Sequence, residues 1–74
     1  MEDFILSIIN DVRTLKGMNP IKSLDRNMDL REDLALSSFD LAELTVRIED
    51  EYDIDIFEDG LVNTVGEIFA KLEK

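Results

Sequence analysis

Apolar residues near the start of the chain, Phe4, Ile5, Ile8, Ile9, Val12 and Leu15, recur at the three-and-four spacing that lines one side of a helix. The spacing predicts a first helix whose stripe lies in the core. Its ends agree with that reading: Glu2 and Asp3 stand in the first turn, Arg13 and Lys16 in the last, and Gly17 and Pro20 follow as stop signals. From Met18 to Leu36 no period is sustained, yet Ile21, Leu24, Met28, Leu30, Leu34 and Leu36 recur often enough to anchor a long loop, with room for a helical turn over 22–26 or 28–33. Loops longer than about a dozen residues are uncommon in compact domains and tend to be functional, so this one suggests that something is positioned at its end. A second helix is expected from Ser38 to about Tyr52. Placing its residues about 100° apart puts Leu41, Leu44, Ile48 and Tyr52 on a core-facing stripe, and Phe39, Ala42 and Val46 on nearly the opposite side. A surface helix is ordinarily polar there. Either the preceding loop folds back over Phe39 and Val46, or this apolar line, edged by Glu43, Glu49 and Asp50, docks a basic and partly apolar partner.

Beyond Tyr52 the alternation Asp53-Ile54-Asp55-Ile56 predicts a brief extended connection with its isoleucines anchored in the core. Residues 57–63 hold one short helical turn at most, interrupted by Gly60. Thr64-Val65-Gly66-Glu67 is a capping box that opens a last helix with Val65, Ile68, Phe69 and Leu72 on one side. The expected fold is all-α: a small four-helix bundle of three main helices and one short one, with a long loop between the first and second, forming one domain over residues 1–74.

The junction between loop and second helix, Leu36-Ser37-Ser38-Phe39-Asp40-Leu41, carries two hydroxyls. Ser37 fits the N-cap, since its oxygen can accept from backbone N–H groups left without partners at a helix start, and Asp40 completes an acidic version of the capping box, with Leu36 and Leu41 as a hydrophobic staple. In that register Ser38 is the first helical residue. Its hydroxyl points outward beside the positive end of the helix dipole, where a phosphate ester is favoured. Two readings stand at this point: both serines only start a helix, or Ser38 is a modification site.

Composition narrows the chemistry. The chain has 74 residues and neither cysteine nor histidine, so it has no disulfide, no thiolate nucleophile and none of the usual transition-metal ligands or neutral-pH bases. An independent enzyme is not expected; a hydrolase built on Asp and Glu pairs ranks last, and no catalytic or metal-ligating residue is assigned. The acids after Tyr52 do not make a calcium loop either. Counted from Asp53, an EF-hand would need a ligand at its fifth position, glycine at its sixth and glutamate at its twelfth, where Phe57, Glu58 and Thr64 stand. Eighteen acidic residues against eight basic give a formal charge of −10, which repels nucleic acid and anionic membrane surfaces and points to basic protein partners. Asp40, Glu43, Glu49, Asp50, Glu51, Asp53, Asp55, Glu58 and Asp59 crowd one stretch in which only Arg47 is basic. A solvated face that keeps the protein soluble explains such a cluster, and so does a docking surface. No apolar run approaches a membrane span, and the acidic Met1-Glu2-Asp3 is unlike a secretion signal, so a cytoplasmic monomer is expected.

In its order of elements, and in the runs Asp33-Leu34-Ala35-Leu36-Ser37-Ser38-Phe39-Asp40-Leu41-Ala42-Glu43-Leu44, Ile48-Glu49-Asp50-Glu51-Tyr52-Asp53-Ile54-Asp55-Ile56 and Thr64-Val65-Gly66-Glu67-Ile68, the chain resembles the acyl carrier protein family of phosphopantetheine-binding domains over nearly its whole length. The resemblance implies that Ser38 carries 4′-phosphopantetheine, attached from coenzyme A by a phosphopantetheinyl transferase, and that Phe39, Ala42, Glu43, Val46, Glu49 and Asp50 form the recognition face for acyl-loading and acyl-processing enzymes with basic docking patches. It implies a carrier of thioester-linked acyl groups in fatty-acid or polyketide-type biosynthesis. An aminoacyl or peptidyl carrier served by an adenylating ligase is the alternative within the family, and an unmodified acidic interaction module the alternative outside it. The chain departs from the family's pattern at Ser37, where aspartate is usual, at Ala35, where glycine is common, at Phe39, where leucine or methionine is usual, and in the extra cation Arg47.

Overall fold

The structure is a computed structural model that describes residues 2–58, 60 and 62–73. Among these residues it is all-helical, with α1 (Glu2–Leu15), α2 (Ser38–Tyr52) and α3 (Val65–Leu72) and no strand.

Each helix boundary has a local cause. The α1 helix ends in a Schellman arrangement, with the Met18 N–H donating to the Arg13 carbonyl at 2.9 Å and the Gly17 N–H to the Thr14 carbonyl at 3.0 Å. Gly17 supplies the left-handed φ of 79° that this reversal needs. At the far end of α2 the left-handed residue is Asp53, at φ 57°, whose N–H returns to the Glu49 carbonyl at 2.8 Å. Helices α2 and α3 both start in complete capping boxes, Ser37 with Asp40 and Thr64 with Glu67.

The first two helices run antiparallel. The Phe4 ring, at the start of α1, meets the Tyr52 ring, at the end of α2, edge-on at 5.6 Å, while Lys16 just past α1 reaches Asp40 in the first turn of α2. Ile5, Ile9, Leu44, Ile48 and Ile68 are buried where the three helices meet, and each such side chain contributes about 1.5–3 kcal/mol through removal from water. Leu30, Leu34 and Ile56 extend the same core from the connections.

Residues 16–37, which join α1 to α2, are pinned along their length. The Asn10 side chain exchanges two hydrogen bonds with the Ile21 backbone, at 2.8 and 2.9 Å. Asp29 starts a turn over 30–34, accepting the Arg31 and Glu32 N–H groups on its carboxylate. Those two N–H bonds hold the Asp29 carboxyl below its usual range. The segment then crosses the start of α3, where Leu30 N–H donates to the Asn63 carbonyl, Val65 N–H to Met28 and Gly66 N–H to Arg26, at 2.8–3.0 Å. The approach is close at Gly66, where a Cβ would lie 3.0 Å from the Arg26 carbonyl oxygen and that segment would have to give by a few tenths of an ångström to admit it. Ala35, at φ 58°, holds the last left-handed turn before α2, a conformation that glycine adopts more easily than alanine.

The structure differs from the sequence-based expectation in two places. The short fourth helix is not found among the described residues of 57–63. Residues 56–58 form a turn in which Glu58 N–H donates to Asp55 and Gly60 N–H to Phe57, both at 3.2 Å, and the Asp55 carboxylate takes the Phe57 N–H at 2.9 Å. Three-residue closures of this type, with Gly60 at φ 131°, do not propagate an α-helix; Asp59 and Leu61 lie outside the described residues. Leu15, expected in the core, is 82% exposed. It stands in the final turn of α1, next to polar tethers from Arg13 and Lys16, and the stripe continues there past the end of the wall it packs against.

Candidate functional site

Ser37 sets the geometry. Its Oγ accepts the Asp40 N–H at 3.2 Å, and Asp40 Oδ2 accepts the Ser37 N–H at 2.8 Å, so cap and third helical residue lock each other. Lys16 Nζ adds a second bond to Asp40 Oδ2 at 2.7 Å and donates to the Ala35 carbonyl at 2.6 Å; Arg13 donates to the Leu34 carbonyl at 2.6 Å. Two cations from the end of α1 therefore clamp the left-handed turn that delivers the chain into α2. Partial burial pushes the Asp40 carboxyl up, and the hydrogen bonds from Lys16 and Ser37 outweigh it, leaving the group below its ordinary value of 3.8.

Ser38 follows as the first residue of α2, exposed, with no hydrogen bond to its hydroxyl or to the N–H groups of Ser38 and Phe39 among the described residues. The positive end of the helix and two open donors thus surround a free hydroxyl. Beside it lies a groove of about 460 Å³ whose walls are Leu41, Ala42, Thr45 and Val46 of α2, Asp55 and Phe57 of the following turn, and Arg31 of the connecting segment. A smaller hollow of about 250 Å³ on the other flank is formed by Ser38, Phe39 and Ala42.

Phe39 and Val46 are 89% and 59% exposed, so the connecting segment does not fold back over them. Ala42, Glu43, Glu49 and Asp50 are exposed on the same helix. The acids are not equivalent. Arg47 Nε holds Glu43 at 2.7 Å and its Nη1 holds Asp11 of α1 at 3.1 Å, so Glu43 is partly neutralised, whereas Glu49 and Asp50 form no ion pair among the described residues. The groove, with Arg31, Thr45, Asp55 and Phe57, is not legible in the sequence, because three separate chain segments build it. The tether on Asp40 is no more legible, since Lys16 is distant in sequence and only its place at the end of α1 hints at an acid nearby. No helix of the described residues is long and apolar enough to cross a membrane.

A family model for the phosphopantetheine attachment site matches residues 4–72. No solved structure matches the chain.

Proposed function

This chain belongs to the phosphopantetheine attachment site family, and from that premise we propose that Ser38 is the residue that holds its 4′-phosphopantetheine and that residues 1–74 act as one carrier domain. The observation that carries the assignment is the free, exposed Ser38 hydroxyl at the first turn of α2, between two open backbone donors and a groove. Ser37 does not compete for the role, because its hydroxyl is the helix cap. The residues present fit the group: the helix start favours a phosphodiester, and the apolar walls Leu41, Val46 and Phe57 suit a slender arm.

When bound, 4′-phosphopantetheine supplies the terminal thiol, and hence the thioester chemistry, that a chain without cysteine lacks. Ser38 contributes the oxygen of the phosphodiester. Asp40, the nearest acid in sequence, is committed to Ser37 and Lys16 and is not free to take the Ser38 proton. The domain's own work is to present the hydroxyl, to hold α2 rigid beside it, and to be recognised. Phe39, Ala42 and Val46 form the apolar line of the recognition face, with Glu49 and Asp50 as its open charges and Glu43 as its tempered one. Basic partners then meet it through a fast, salt-sensitive encounter, and the tethered cargo gains effective concentration at each active site. The acidity of α2 favours acyl cargo of the fatty-acid or polyketide type, handled by a cytoplasmic monomer.

Intact-protein mass after incubation with coenzyme A and a broad-specificity transferase tests the assignment. A gain of one phosphopantetheine in the parent and none in Ser38→Ala is expected; an equal gain in both would remove Ser38. Charge reversal at Glu49 or Asp50 is expected to slow loading about tenfold, more than reversal at Glu43, and equal rates for all three would refute the division of the face. Thioester analysis with fatty-acyl and aminoacyl ligases decides the cargo, an aminoacyl product pointing to the peptidyl-carrier alternative.

A further inference from the structure

We propose that Arg31 is the counter-charge that holds the phosphodiester on Ser38 and thereby turns the arm toward the groove and away from the Phe39 flank, an inference that rests on the assignment of Ser38. Arg31 and Ser38 line the same groove. The backbone of Arg31 is fixed: its N–H donates to Asp29 Oδ1 at 2.8 Å, and Leu30 and Leu34, at the two ends of the turn that carries it, are buried. Its side chain is exposed, and its attraction to Asp29 is the weakest of the influences on that carboxyl. Of the four arginines, Arg13 is spent on the carbonyls of Asn19 and Leu34, Arg26 on Glu73 and Arg47 on Glu43 and Asp11, while the Arg31 guanidinium makes no hydrogen bond or ion pair among the described residues.

Charge gives this arrangement a task. A phosphodiester adds a negative charge to a chain already at −10, in a groove whose wall includes Asp55. The open N–H groups of Ser38 and Phe39 answer part of that charge, and a guanidinium answers the rest with paired, planar donors that match phosphate oxygens. Among the described residues no other cation lines the groove, and none lines the smaller hollow on the other flank. The two hollows share Ser38 and Ala42, so an arm leaving Ser38 can turn either way. Arg31 biases it to one, which leaves Phe39 clear for a docking enzyme.

The arginine Nε–H signals of the uniformly ¹⁵N-labelled 74-residue chain, compared between apo protein and protein fully loaded by mass, test this directly. The Arg31 signal is expected to shift on loading and to return toward its apo position in high salt, with Arg13, Arg26 and Arg47 unmoved. The ³¹P resonance of loaded Arg31→Ala is expected to move toward that of the loaded parent unfolded in urea, which carries the same phosphodiester without its folded surroundings, with Arg31→Lys between it and the folded parent. An unmoved Arg31 signal in a fully loaded sample, or one ³¹P position for all three proteins, would overturn the role of Arg31 and leave Ser38 standing. A parent chain that gains no mass would remove the Ser38 assignment and this inference with it.

Discussion

Helices α2 and α3 begin with the same device and meet opposite surroundings. At each start a hydroxyl side chain caps the third helical N–H, and an acid at that third position returns the bond. At α3 the first helical residue is Val65, fully buried, and the N–H groups of Val65 and Gly66 are taken by the Met28 and Arg26 carbonyls of the segment that crosses above them. At α2 the first helical residue is Ser38, exposed, and the two corresponding N–H groups are open. The same local chemistry thus closes one helix start and presents the other. What decides between them is whether a second chain segment lies across the first turn.

The two helix starts differ most at their first residue, Ser38 in one and Val65 in the other. Val65→Ser gives α3 the cap-plus-serine pattern of α2, but the new hydroxyl lies in the core under residues 26–28. It is expected to remain unmodified in a Ser38→Ala background and to cost about 2–4 kcal/mol, from the lost methyl contacts and the buried hydroxyl. Loading assays and urea melts read the two parts; a mass gain by the folded Val65→Ser, Ser38→Ala double variant, mapped to the introduced hydroxyl, would mean that the cap pattern alone is enough.

The caps themselves sharpen the contrast. Ser37→Ala and Thr64→Ala should each cost about 1 kcal/mol, a fall in Tm of roughly 4–8 °C for a domain of this size. Only Ser37→Ala should also slow loading, because it frays the turn that presents Ser38. If Thr64→Ala slows loading as much, the effect is global stability and not local presentation.

The smallest expected effect is acidic. The Asp40 carboxyl lies below its ordinary 3.8 in the folded chain, so its contribution is fully present above that value and is lost as pH falls through the lower folded value. Asp40→Asn should therefore be less stable than the parent at neutral pH, with the difference shrinking below pH 3.8; a difference that persists at the lowest pH would show that the carboxylate charge is not what matters.

Much of this was legible in sequence because its causes are local. The caps at Ser37 and Thr64, the acids that complete them, Gly17 after α1, and the buried stripe Leu41, Leu44 and Ile48 depend on neighbours within about one turn. Leu15 was misplaced because a period does not register where the facing wall stops. The short helix expected within 57–63 is replaced by a turn because apolar Phe57 fits either, and the three-residue closures from Glu58 and Gly60, with the conformation of Gly60, do not continue as a helix among the described residues. Arg31, Asp55 and Phe57 come together with Ser38 only through the packing of separate segments, and no spacing announces that. Likewise the pairing of Arg47 with Asp11 and Glu43 needs α1 and α2 side by side, so composition showed an acidic face without showing which acids are open.

The assignment of Ser38 is tested most directly by digesting the fully loaded parent chain and locating the phosphopantetheinyl group by fragmentation of the peptide spanning Leu36 to Leu44. A single modified residue, Ser38, is expected. Modification at Ser37, the helix cap, or at any other residue would contradict it.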